Sequence, residues 1–407
     1  MEQQRDAYGL EWTVSARNDL TQLESAVTSY LASLPDTPDI LTRVTSGPSP
    51  MPIALAMQAA LLKMSGDPRV RPALTEALGT LQSHYREMNA RELAHMRALE
   101  LWAAEHLDEA TEAYEAILSE YPLDMLALRF AHYLHFYAGD AKALRDSVAR
   151  VYPAWPRESP WHGYLDGMYA FGLEEAGDYA GAEAHGMAAL AVEPKDIWAA
   201  HAVVHALYMT ARAEEGLAII ERFGDWPGHT NFRFHMVWHE ALLHLLQGDA
   251  PSALAIFDNA LVGAIPDDLY LNAVNASALL LRLHMRGVDV GDRWRHLDAI
   301  CEKRATDDEL VFATLHYLIP PAMAGDEDTL RRGIDSIERW ARRVDTQGTV
   351  SRDVGVAVAH SIAALSEQDL ERTRALLEPA LPELHRIGGS HAQREGFEEL
   401  LLYACGD

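Results

Sequence analysis

Two short runs hold the residue types best suited to chemistry, His201-Ala202-Val203-Val204-His205 and His235-Met236-Val237-Trp238-His239. Each spaces two histidines four residues apart, which puts both imidazoles on one face of a helix. Four imidazoles brought together can exchange protons near neutrality or ligate Zn²⁺, Cu²⁺ or Fe²⁺. The zinc-protease signature needs a glutamate in second place, where this chain has Ala202 and Met236. Glu240 follows His239 but points roughly 100° away on a helix. Acid–base work by His201, His205, His235 and His239 therefore ranks above a bound metal. No metal ligands are assigned and no cofactor is expected. Histidines that only pack between helices carry similar weight, and two pairs in neighbouring segments of like pattern raise the functional reading.

The residues available to line a pocket come from neighbouring helices. Arg129 can hold an anionic group, and Asp166 can orient an imidazole. Tyr164, Tyr169 and Trp238 offer aromatic walls, with Asn275 and His316 from later helices. Gly388-Gly389-Ser390-His391 has the look of an anion-binding turn before a helix. It lacks the lysine and spacing of a P-loop, so Ser390 reads as an N-cap. Arg352-Asp353 reads as an ion pair at a helix start. Cys301 has no histidine partner in sequence, and no Gly-x-Ser-x-Gly occurs.

The elements that must position these residues are helices. Apolar residues recur at three and four, as at Leu126, Phe130, Leu134 and Tyr137, and strand signals are nearly absent. Breaks fall at Gly66-Asp67, Glu105-His106, Gly139-Asp140, Gly177-Asp178, Ala211-Arg212, Gly248-Asp249, Gly287-Val288, Gly325-Asp326, Gln368-Asp369 and Gly406-Asp407. Their spacing runs from 34 to 43 residues. A period near 34, with a small residue at the turn and alanine soon after, is a stretched tetratricopeptide pattern. Helices ending at Tyr121-Pro122 and Glu193-Pro194 fit it, since proline cannot continue the preceding helix. Pro320-Pro321 is expected to kink or break a helix. In such a repeat the first helix of each pair lines the concave face. That places Arg129, His201, His205, His235 and Trp238 near inner positions, where the two histidine pairs could meet in one groove.

Longer runs are more specific. Leu123 to His132 (LDMLALRFAH), Arg145 to Pro153 (RDSVARVYP), the two histidine helices, Arg352-Asp353-Val354-Gly355 and Gly388 to Arg394 (GGSHAQR) resemble the tetratricopeptide repeat protein 38 family. The resemblance begins near Asp6-Ala7-Tyr8-Gly9-Leu10 and covers nearly all of the chain. It implies an all-helical repeat fold and no settled activity. It also implies that His132, His201, His205, His235, Trp238 and His239 match the family's residue types. His162, Asp166, His244 and His391 depart from that pattern, as does Leu55, where the family has histidine.

Composition narrows the function classes. With 34 basic and 61 acidic residues the chain carries a formal charge of −27, which repels nucleic-acid phosphates and anionic membranes. Two cysteines without a pairing pattern, no apolar leader and no run long enough to span a bilayer fit a cytoplasmic protein. The expectation is an all-α fold, one domain over residues 1–407, with helix pairs wound into a right-handed superhelix. Residues 1–50 form a helical segment packed on an array of repeats over 51–407. Its function is to bind a small molecule in a histidine-lined groove, with histidine acid–base catalysis as the extension. The alternative is a scaffold that binds a peptide along the same face. Homodimerisation through repeat ends stays open.

Overall fold

The computed structural model describes residues 1–16, 18–47, 49–224 and 232–406. They are mostly helical. The chain opens with a hairpin of β1 (Glu2–Arg5) and β2 (Glu11–Val14), antiparallel, with Glu2 opposite Val14 and Arg5 opposite Glu11. Helices α1 (Asp19–Leu31), α2 (Thr37–Thr45), α3 (Pro52–Met64), α4 (Arg71–Ser83), α5 (Ala90–Ala103) and α6 (Leu107–Glu120) follow. Next come α7 (Met125–Ala138), α8 (Ala141–Val151), α9 (His162–Glu175), α10 (Tyr179–Val192), α11 (Ile197–Met209), α12 (Ala213–Phe223) and α13 (Arg233–Leu246). The remainder is α14 (Ala250–Ile256), α15 (Val262–Ala264), α16 (Tyr270–Met285), α17 (Asp298–Arg304), α18 (Val311–Ala324), α19 (Glu327–Trp340), α20 (Thr346–Val350), α21 (Val356–Ser366), α22 (Leu370–Leu377) and α23 (His391–Cys405). Among the described residues no helix is long and apolar enough to cross a membrane.

Turn chemistry explains why the helices stop where they do. The first residue of every break named above has positive φ, from 57° at Ala211 and Gln368 to 83° at Gly177. A left-handed residue ends a helix by turning the next N–H groups back onto its last carbonyls. The aspartate that often follows then starts the next helix. Asp178 accepts from the Gly181 N–H at 3.0 Å, Asp249 from Ser252 at 3.1 Å and Asp326 from Thr329 at 3.1 Å. One dipeptide thus closes one helix and caps another.

Two compact units result. The first comprises Met1–His135, Ala141–Ala206 and Glu221–Arg233. In it consecutive helices pack as pairs, α3 with α4, α5 with α6 and α9 with α10. The hairpin missed by sequence reasoning docks on α5: Glu92 accepts from the Thr13 N–H at 2.7 Å and the Thr13 hydroxyl at 2.5 Å. Its signal was the polar–apolar alternation of Glu11-Trp12-Thr13-Val14 after Gly9. The second unit comprises Phe136–Asp140, Leu207–Ile220 and Phe234–Asp407. Its core surrounds α16 and α18, whose residues are almost all buried.

Two local expectations need correction. Helix α18 runs through both Pro320 and Pro321 without breaking. Each proline forfeits its own i→i−4 bond, to His316 and Tyr317, and burial of nearly the whole helix holds it together in spite of that. Arg352 and Asp353 do pair, at 3.2 Å, but in a π-turn spanning Ser351–Gly355, between α20 and α21, rather than at a helix start. Asp353 also meets Arg386 at 3.1 Å.

Candidate functional site

Asp196 sets the start of α11. Its Oδ1 accepts the N–H groups of Trp198 at 2.9 Å and Ala199 at 3.1 Å. From that fixed start, His201 and His205 follow at helical spacing on one buried face, 2% and 0% exposed. Their rings meet edge to face, with centroids 4.2 Å apart. His201 is walled by Phe171 at 5.3 Å, Trp198 at 5.4 Å and Phe232 at 5.0 Å.

Behind His205 stands a carboxylate that sequence reasoning missed. Glu174 Oε2 lies 3.3 Å from His205 Nδ1, and both side chains are fully buried. Glu175 is buried beside it, and ligand atoms of Glu174, Glu175 and His205 all lie within 4.8 Å of one another. In sequence, Glu-Glu before Ala176-Gly177 looks like a solvated helix end. The available signal was periodicity: Gly167, Phe171 and Glu174 share one face of α9, and that face meets α11. A Cβ on Gly167 would sit 3.3 Å from the Ala199 methyl.

Arg129 and His132 extend the buried polar group along α7. The Arg129 guanidinium lies over the Trp198 ring at 4.5 Å and the Tyr133 ring at 4.6 Å, and its Nη2 donates to the Tyr133 hydroxyl at 3.2 Å. His132 is buried with neither ring nitrogen hydrogen-bonded. Burial, reinforced by Arg129 and His135, holds its pKa well below the ordinary imidazole range, so the ring is neutral. Burial likewise pushes the Asp196 carboxyl up to about 7, against the opposing pull of its two backbone donors and Arg129. Tyr164 is buried on α9, its hydroxyl pKa raised by burial and then by Asp196 and Glu193.

Asp166 and Tyr169 land in a second group, against α10. Asp166 accepts from the Tyr152 hydroxyl at 2.6 Å and contacts His185 Nδ1 at 2.9 Å, with His162 Nε2 at 3.7 Å. Tyr169 sits edge-on to His185 at 4.7 Å. Asp166 therefore orients His185, a residue of the second helix of the pair.

The other histidine pair belongs to the second unit. His235 Nδ1 lies 3.1 Å from Asn275 Oδ1, and His239 Nε2 lies 3.1 Å from His235 Nε2. With Asn275 accepting, a neutral His235 is protonated at Nδ1, so its Nε2 accepts from His239 Nε2–H. Trp238 stacks on His235 at 5.4 Å with 15° between planes, and the Arg282 guanidinium lies 5.6 Å from the Trp238 ring. On α18, His316 Nδ1–H donates to the Phe312 carbonyl at 2.8 Å. Burial takes its pKa down to about 4, which leaves it neutral.

No known protein-family model matches the chain. Ser390 is the N-cap of α23, closing a capping box with Gln393. The turn before it is tight for packing reasons: a Cβ on Gly388 would lie 2.9 Å from the Tyr137 carbonyl oxygen, and one on Gly389 would lie 2.6 Å from the Phe312 ring.

Proposed function

We propose that the protein is a tetratricopeptide-type superhelix, related to tetratricopeptide repeat protein 38, that binds a small molecule against α7, α9 and α11. His201 and His205 perform acid–base chemistry on it. The observation that carries this reading is the buried Glu174–His205 contact beside the His201 ring. A carboxylate facing Nδ1 favours the proton on that nitrogen and leaves Nε2 as base. It also stabilises the imidazolium once a proton is taken. The burial of these imidazoles favours a small enclosed ligand over a peptide laid along an exposed groove. Two unpaired cysteines fit a reducing, cytoplasmic setting.

The test is to incubate the purified protein with a metabolite extract, wash it, and identify retained or converted small molecules by mass spectrometry. His205→Ala and Glu174→Gln should abolish conversion while circular dichroism stays unchanged, with His239→Ala as the parallel variant in the second unit. Full conversion by a well-folded His205→Ala, His239→Ala double variant refutes the reading.

A specific observation also favours a metal reading, in which Glu174, Glu175 and His205 bind one divalent cation. Two buried carboxylates beside an imidazole make a donor set for a first-row metal. Metal analysis separates the two: about one ion per chain, lost on Glu175→Gln, makes His205 a ligand rather than a base.

A further inference from the structure

Among the described residues Arg129 is a buried cation with no carboxylate at ion-pair distance. It is 2% exposed, and guanidinium stays protonated under all physiological conditions. Three of the four other deeply buried arginines are matched by carboxylates. Arg91 meets Asp124 at 2.5 Å, Arg282 meets Glu399 at 3.5 Å, and Arg304 meets Asp268 at 2.8 Å and Asp307 at 3.0 Å. Among the described residues no carboxylate lies within 4 Å of the Arg129 guanidinium. Its hydrogen-bonding partners are the phenols of Tyr133 and Tyr30, and its Nε has no acceptor. Asp196 interacts with the guanidinium electrostatically but closes no ion pair with it: its Oδ1 caps the first turn of α11, and its Oδ2 is buried without a hydrogen-bond partner.

The setting of Arg129 is built for recognition rather than for packing. Trp198 and Tyr133 cover the flat guanidinium at 4.5 and 4.6 Å, which leaves its hydrogen-bonding edge to be satisfied. Around it, Trp198 Nε1 and both ring nitrogens of His132 are also buried without partners. An unpaired charge in such a place is strongly destabilising, and a bound anion relieves it.

We propose that Arg129 is the anchor for a carboxylate of the small molecule, held side-on by Nε and Nη, with Trp198 Nε1 and His132 as further polar contacts. This rests on the small-molecule reading above and names its substrate class. A monoanion balances one guanidinium. A phosphate dianion would leave net negative charge in an interior that already holds Asp196, Glu174 and Glu175, so carboxylate is the better match. Trp198 also touches His201, so a ligand anchored at Arg129 extends towards the imidazoles.

The experiment titrates benzoate, acetate and inorganic phosphate into the full chain at constant ionic strength, reading thermal shift and calorimetric heat. Wild type should saturate with benzoate and acetate and respond weakly to phosphate. Arg129→Gln should lose the response, and Arg129→Lys, which keeps charge but not the planar fork, should bind at least about tenfold more weakly. His205→Ala should bind carboxylate as wild type does, so loss of acid–base function is separable from loss of the anchor. If Arg129→Gln does not fold, the Arg129 Nε–H resonance of wild type decides, since it must shift on adding benzoate. No carboxylate binding by wild type, equal binding by a folded Arg129→Gln, an unmoved Nε–H resonance, or tighter binding of phosphate overturns the proposal.

Discussion

Replacing Asp124 tests how α7 is held to α5, and the outcome can be worked from the structure. Asp124 is fully buried at the start of α7. Its Oδ2 takes Arg91 Nη1 at 2.5 Å and His95 Nε2 at 2.8 Å, and its Oδ1 takes the Ala127 N–H at 3.0 Å. Burial raises the carboxyl pKa, but His95, Arg91 and the backbone donor outweigh it and hold it well below the ordinary range. Asp124→Asn keeps the cap but strips the counter-ion from a guanidinium that is 3% exposed. Orphaning one partner of a buried pair costs about 3–5 kcal/mol. Arg91 retains the Glu11 carbonyl at 2.6 Å and the Trp12 face at 3.8 Å, so about 3 kcal/mol is expected for Asp124→Asn. Asp124→Ala also loses the cap, for about 4 kcal/mol in all. Arg91→Met together with Asp124→Asn should recover much of this, giving a coupling energy of at least about 2 kcal/mol. Urea unfolding measures the cycle, and amide exchange at Ala127 reports α7 directly. The acid limb has a definite sign. A depressed folded pKa gives stability that is present above the unfolded value near 3.9 and lost as pH falls, so Asp124→Asn should be flat where wild type weakens. A cost under about 1 kcal/mol, or additive effects in the double variant, would refute the reasoning.

Three other outcomes follow from particular residues. Asp196 has its folded pKa raised from 3.8 to about 7, so its stabilising contribution is complete below the unfolded value and is lost as pH rises through 7. Asp196→Asn should therefore match wild type near pH 4 and exceed it at pH 8 by up to about 4 kcal/mol in chemical denaturation. Ala211 holds φ at 57°, and Ala211→Gly should raise stability by about 0.5 kcal/mol, seen as a higher Tm, because relief of left-handed strain exceeds the entropy lost. Cys405 is exposed, whereas Cys301 is buried with its thiol pKa raised by burial. One thiol should react with an aromatic disulfide in native protein and two in denaturant, and two fast-reacting native thiols would contradict this packing.

What was legible in the sequence is what neighbours along the chain decide. The ten helix breaks were readable because a left-handed residue, followed at several of them by a capping aspartate, acts within four residues of itself. The i, i+4 histidine pairs were readable for the same reason, and so was the Ser390 cap. Local reading failed where distant contact intervened. The hairpin of Glu2–Arg5 and Glu11–Val14 depends on Glu92 beneath it, and the run of α18 through two prolines depends on burial all round.

The candidate site divides along the same line. Sequence alone placed His201 and His205 on one face of α11 and Arg129 on the helix two pairs earlier. Tertiary structure put Glu174 behind His205, turned Asp166 towards His185, and gave Arg91 a counter-ion while leaving Arg129, among the described residues, without a carboxylate at ion-pair distance. The reason is physical. Helical spacing is set by the backbone of one segment, whereas the charge and proton affinity of a group depend on its burial and on which groups from elsewhere in the chain come within a few ångströms. Residue types therefore announce that chemistry is available, and only packing decides which of them is paired, neutral or poised.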